Sequence, residues 1–232
     1  KERKRMKTGI QRGLFILILL WYSLFPPLYP LCSLQVSAQE RRPGRLFPPE
    51  RMQVLEEPRQ WQDAEEVMDR LRLREGDTVA DIGAGTGYFT LPMARRVGAR
   101  GLVYAEDVQQ AMVDYLSKKV ETLELKNIRV VMGKADNPTL PEDSLDLALV
   151  ANTYHEVEKP LLLLENIRKE LKSGGRLVII DWGPERESPV GPPQQERVSE
   201  DTVIKETGQV GLDLSERQMF MPYHYFLVFK KR

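Results

Sequence analysis

Short apolar segments alternating with stretches of helical spacing limit this chain to one broad architecture. The segments are TVADIG from Thr78, GLVYAED from Gly101, NIRVVMGKA from Asn127, SLDLALVANTYHEV from Ser144 and RLVIIDW from Arg176. WQDAEEVMDRLRL precedes them, with Trp61, Ala64, Val67, Met68 and Leu71 on one helical face. YFTLPMARRVG, QQAMVDYLSKKVETL and PLLLLENIRKELKSGG read as further helices, with Gly98 and the Gly174–Gly175 pair as stops. Strands recurring every ~25–30 residues between helices imply a parallel sheet with helices on both faces. SLDLALV is apolar at nearly every position, as a strand buried on both faces must be. A Pro-rich loop over residues 183–197 leads to one more helix, VSEDTVIKETGQVG. The tail, LDLSERQMF then PYHYFLVFKK, reads as an antiparallel hairpin. The expected fold is α/β: a seven-stranded sheet, mostly parallel, closed by that hairpin.

The N-terminus has a different character. KERKRMKTGIQR is basic, GLFILILLWYSLF is apolar, three prolines follow, and VSA precedes Gln39. This is the layout of a signal peptide over residues 1–38, or of an N-terminal membrane anchor if it is not cleaved. The reading places the body outside the cytoplasm, periplasmic or secreted, with membrane contact only through residues 13–34 when the leader is retained. Residues 39–60, rich in Pro, Arg and Glu, read as a linker, and residues 61–232 as the folded domain. The chain holds 34 basic and 34 acidic residues, but the first 38 carry six of the bases and one acid, leaving a mildly acidic body. That balance argues against a nucleic-acid partner. The single cysteine, Cys32, excludes an internal disulfide, and two separated histidines give no metal-ligand spacing, so no metal is expected.

The function concentrates in VADIGAGTGYFT. Gly83, Gly85 and Gly87 follow the first strand directly, so main chain there turns tightly and a ligand can approach it without Cβ atoms between. In an open α/β sheet that turn lies at the ligand crevice. A dinucleotide fingerprint spaces its glycines G-x-G-x-x-G; here the spacing is G-x-G-x-G, and Asp81 would repel a pyrophosphate. Asp107 ends the second strand, where an acid can accept both hydroxyls of a ribose. Neighbouring Glu106 is expected to point elsewhere by strand alternation. Asp136 follows the third strand, where an acid can meet an exocyclic amine. A ligand with a positive end, a ribose and an adenine, and without phosphate, satisfies all three acids.

On these residues the chain resembles the class I S-adenosylmethionine-dependent methyltransferases. ADIGAGTGYFT resembles their first motif and VYAEDV their second-strand acid. GKADNPTLPEDSLDLALVANTYHEV and IRKELKSGGRLVIIDW resemble the segments that follow. A narrower likeness is to uncharacterised bacterial members carrying WQ before the first helix, a YHE-type motif after strand four and a final PYHYFLVF-type strand. The resemblance implies a Rossmann-like fold and S-adenosylmethionine as cofactor. It places Asp81 near the cofactor's amino group and Gly83, Ala84, Gly85 and Gly87 along its methionine part. It gives the ribose to Asp107, adenine to Asp136, and a place beside the reaction centre to Asn152. Lys134 departs from the acid many relatives carry there.

Methyl transfer from a sulfonium is an in-line displacement, so the protein chiefly places the acceptor, a small molecule or a protein side chain. A base is needed only where the acceptor must lose a proton. His155 is the candidate, with Tyr154 and Glu156 in reserve. Asp146 and Trp61 read as structural. Two other readings are a non-catalytic S-adenosylmethionine-binding module at the cell envelope and a nicotinamide-dependent dehydrogenase. The glycine spacing and Asp81 weigh against the second.

Overall fold

The computed structural model describes residues 44–57 and 59–232, all within the compact unit Gln39–Arg232. The expected leader lies outside the described residues. Among the described residues no helix is long and apolar enough to cross a membrane.

Seven strands form one sheet: β1 (Thr78–Ile82), β2 (Leu102–Asp107), β3 (Ile128–Met132), β4 (Leu145–Ala151), β5 (Leu171–Trp182), β6 (Leu212–Gln218) and β7 (His224–Lys231). Their order across the sheet is β3-β2-β1-β4-β5-β7-β6. The first five strands run parallel, and β7 lies antiparallel between β5 and β6, as the hairpin reading expected. The order reverses at β1 and β4, so the crevice forms beyond their carboxyl ends.

Side chains alternate across the strands and fill two cores. On one face Val79, Leu147, Leu149 and Val178 pack against α1 (Ala64–Leu71), α2 (Thr90–Val97) and α3 (Gln110–Thr122). On the other, Ala80, Ala148, Val150 and Ile179 pack against α4 (Pro160–Glu170) and α5 (Glu200–Gln209). Asp146, the one acid inside β4, accepts from Thr78 N and Lys172 Nζ and so locks β1 to the start of β5.

Three boundaries differ from the sequence expectation. α1 begins at Ala64 because Asp63 caps it, accepting from Glu65 N at 2.8 Å, so Trp61 and Gln62 lie ahead of the helix. α4 stops at Glu170, since buried Leu171 already pairs with Leu145 of β4. The segment read as a linker is ordered in its described part: Pro49–Glu56 is a 3-10 helix docked on α3, with Glu56 paired to Lys119 at 2.7 Å. Its composition lacks apolar periodicity because few of its side chains enter the core.

Leu149, fully buried in β4, tests the two-face core. Leu149→Ala should cost about 2–5 kcal/mol in urea unfolding, the range for truncations that leave a cavity. A loss near that of a surface substitution would contradict burial on both faces.

Candidate active site

The turn after β1 is held by β2. The Glu106 carbonyl accepts from Gly83 N at 2.9 Å and Ala84 N at 2.8 Å, and Gly87 N donates to the Ala84 carbonyl. All three glycines have positive φ, +73°, +53° and +89°, which side-chain-bearing residues adopt only with strain. A Cβ on Gly83 would strike Thr153, and one on Gly87 would strike Leu116. At Gly85 it would meet only the tip of Leu55, at 3.4 Å. The space over Gly85 is thus a cradle of bare main chain covered by one flexible side chain. Thr86, between the two glycines, has a buried hydroxyl with no partner.

Three carboxyl groups converge under this turn. Asp107 accepts from Gly85 N and Gln109 N, each at 2.9 Å. Glu106 points to the opposite side of the strand, yet its carboxyl still reaches the turn, 3.4 Å from Gly83 N. Asp81 accepts from the Thr90 hydroxyl at 2.6 Å. Burial pushes the Asp81 carboxyl up to about 6, with Asp107 adding to the rise. Burial likewise raises Asp107, although the N–H groups of Gln109 and Gly85 hold it back, and it raises Glu106 well above the ordinary range. A site in which acids raise one another suits a ligand with a positive group and hydroxyl donors and repels a phosphate. The cradle, the orphan Thr86 hydroxyl and this donor-poor, acceptor-rich set fit S-adenosylmethionine.

A second cluster stands beyond β4 and β5. Asp181, fully buried, accepts from His155 N at 2.9 Å and Trp182 N at 2.7 Å, and its Oδ1 lies 2.8 Å from His155 Nδ1. Burial opposes the charge on each partner. The His155–Asp181 attraction overrides it, raising the imidazole and lowering the carboxyl. His155 Nε2 faces Glu156 Oε1 at 3.8 Å, and burial lifts Glu156 to about 7. Glu156 also accepts from Phe47 N at 3.2 Å, while Gln109 Nε2 donates to the Phe47 carbonyl, so the ordered N-terminal segment bridges both clusters.

The other expected residues fall as follows. Asn152 follows β4 in the left-handed region, φ +56°, and forms a reciprocal amide pair with Gln62. Asp136 gives its carboxylate to Lys159 at 3.1 Å, at the head of α4. Tyr154, expected as a reserve proton acceptor, is instead a core residue: it is fully buried against α4 and α5, and its hydroxyl donates to Glu206 at 2.6 Å. Its place in a one-turn 3-10 helix sends its ring inward and leaves His155 toward Asp181.

Two site residues were missed. Asp181 is an acid at the end of an apolar strand, the same signal that marked Asp107. Gln62 is uncharged and fully buried ahead of a capped helix, and recognising Asp63 as the cap would have set it in a loop.

Comparison with known proteins agrees with this fold. The family described as "Methyltransferase domain" matches residues 79–175. The crystal structure of a SAM-dependent methyltransferase from Aquifex aeolicus is 33% identical, with TM-score 0.77, and the match covers 81% of this chain and 100% of that one. A putative type 11 methyltransferase from Sulfolobus solfataricus shares the fold at 22% identity, TM-score 0.62, over 74% of this chain and 94% of that one. A demethylmenaquinone methyltransferase of Geobacillus is 26% identical over 117 residues, half of each protein, so the chain spans about half the length of the curated relatives it matches.

Asp81 gives a test free of any ligand. An acid whose pKa is raised on folding lends stability that is full below its unfolded value and lost as pH rises through its folded one. For Asp81 that loss runs from 3.8 up to about 6. Asp81→Asn mimics the protonated form, so its stability relative to wild type should climb as pH rises through that window and level off above it. Denaturant midpoints that shift in parallel at every pH would contradict the buried acid.

Proposed function

The chain belongs to the S-adenosylmethionine-dependent methyltransferases and uses S-adenosylmethionine as cofactor, and from that premise we propose that it transfers a methyl group to a proton-bearing acceptor, a small molecule or a protein side chain. The observation that carries this reading is the His155–Asp181 pair at 2.8 Å, set beside the glycine turn on the same edge of the sheet. A passive binding module has no use for an oriented imidazole there.

Asp107 holds the ribose hydroxyls, main chain from Gly83 to Gly87 lines the methionine part, and Asp81 balances the ammonium charge. Asn152, fixed by Gln62, walls the crevice. Asp136 stays with Lys159. When bound, S-adenosylmethionine supplies an electrophilic methyl that needs no further activation. Asp181 holds the Nδ1 proton of His155, which leaves Nε2 to accept the acceptor's proton. The acceptor's lone pair forms the new bond to carbon, and the electrons of the broken sulfur–carbon bond stay on sulfur. Glu156, lifted to about 7, is the nearest group to take the proton onward. The relatives named demethylmenaquinone methyltransferase support catalysis over passive binding. The basic and apolar leader supports a body outside the cytoplasm, periplasmic, secreted or anchored.

The test is transfer of labelled methyl from the cofactor into an envelope extract. Wild type should label a component. His155→Ala should lower the rate about 10²–10⁴-fold with S-adenosylhomocysteine affinity kept within a fewfold. Asp181→Asn should lower the maximum and move the acid limb of the pH profile to lower pH, because the imidazole loses the charge that raises it. Asp107→Ala should instead weaken S-adenosylhomocysteine binding about ten- to hundredfold, the worth of charge-assisted bonds. Unchanged turnover in His155→Ala would remove the base; unchanged affinity in Asp107→Ala would remove the ribose contact.

A further inference from the structure

His224 opens β7 with its side chain fully buried, and neither ring nitrogen has a hydrogen-bond partner. Its ring lies parallel to Trp61, centroids 5.3 Å apart and planes 4° off, and against Trp182 at 4.1 Å. Burial pushes its pKa down to about 3, so the imidazole is neutral, one nitrogen a donor and the other an acceptor. Each buried polar group left unpaired lowers stability by an amount that phenylalanine in the same stack would avoid. Packing therefore does not account for an imidazole at this position.

The surroundings point to a ligand. Trp182 ends β5 in register with His224 and follows Asp181 directly, while Trp61 precedes the Gln62 that pairs with Asn152. The stack thus stands at the same sheet edge as the crevice. Asp181 favours protonation of His224, while Arg59, Arg186 and Arg197 oppose it. Arg59 lies 5.8 Å from the Trp61 ring centre and Arg197 5.5 Å from that of Trp182. Both guanidinium groups donate to neutral oxygens, those of Gln62 and Leu55 for Arg59 and of Pro192 and Arg186 for Arg197. Arg59 is also drawn to Glu56 and Asp81, whereas Arg197 forms no ion pair among the described residues, so the charge left to act on an entering group is that of Arg197. Beyond Trp182 the Pro-rich loop forms an open pocket of about 500 Å³, lined by its own residues, Arg186, Ser188, Gly191 and Arg197 among them. Gly191 lies so close to the Trp182 indole that a Cβ would strike it, so cavity and stack share a wall. That volume is in the range of small-molecule sites.

We propose that this stack and cavity form the acceptor subsite, and that the acceptor is a small planar ring bearing an acidic hydroxyl, stacked on the indoles and hydrogen-bonded to His224. The proposal rests on the methyltransferase reading for its role, but not for its test. Trp61, the half-buried outer ring, is the one whose movement uncovers the imidazole. Arg197 favours the ionised hydroxyl, and the neutral imidazole holds the oxygen without adding a competing charge.

The probes are 4-nitrophenol and nitrobenzene, titrated into the full-length chain with and without S-adenosylhomocysteine and followed by calorimetry and tryptophan quenching. Wild type should bind 4-nitrophenol at least about tenfold more tightly than nitrobenzene, the effect of one satisfied buried hydrogen bond. His224→Phe keeps the stack and should bring that ratio close to one. Arg197→Gln alters none of the three rings; it should weaken 4-nitrophenol severalfold and nitrobenzene by less, so the proposal stays testable if the first variant fails to fold. Failure of wild type to bind either probe, equal binding of both, or a ratio untouched in the folded variants would overturn it. Binding of S-adenosylhomocysteine on the same samples reads the cofactor assignment separately, so loss of that binding counts against the methyltransferase reading and the probe ratio against the subsite.

Discussion

The carboxylate of Asp181 is a buried charge, and the edge of the sheet is arranged around that fact. An ionised acid with no exposure persists only when donors surround it. Here they are two main-chain N–H groups, of His155 and Trp182, and one imidazole. Meeting that demand fixes the loop after β4. Residue 155 must turn back toward β5, which sends Tyr154 into the core to meet Glu206 and leaves Thr153 against Gly83. The histidine, the tyrosine beside it and the end of β5 are therefore positioned by one electrostatic requirement.

The glycine-turn side obeys the opposite rule. Asp81, Glu106 and Asp107 crowd acids where burial disfavours their charge. A cationic ligand placed there would relieve that crowding. The ordered N-terminal segment links the two regions through Phe47, whose N–H meets Glu156 and whose carbonyl meets Gln109 beside Asp107.

The fold was legible because its determinants are local. β4 is apolar on both faces, and the glycines sit where only positive φ serves. Asp107 was legible for the same reason: it ends a strand at a set distance from the turn. Asp181 carried the same mark, but its partner lies 26 residues away across two strands, and no local pattern announces that pairing. Tyr154 and His155 are neighbours whose different fates follow from one turn of 3-10 helix. The segment before Trp61 read as a linker because it docks through main-chain atoms of Phe47, one ion pair, the tip of Leu55 and the Arg59 guanidinium, scattered contacts with no compositional signature. Asp136 was placed by its position after the third strand, but its ion pair with Lys159 depends on how α4 is entered, which no strand-end pattern shows.

The central claim, that a buried carboxylate orients His155 as a base, is tested most directly by long-range nitrogen–proton NMR of the His155 ring across pH. The account predicts that Nδ1 stays protonated throughout while Nε2 titrates with a pKa above the ordinary histidine value, and that Asp181→Asn lowers that pKa. A neutral ring protonated at Nε2, or a titration indifferent to Asp181, would contradict it.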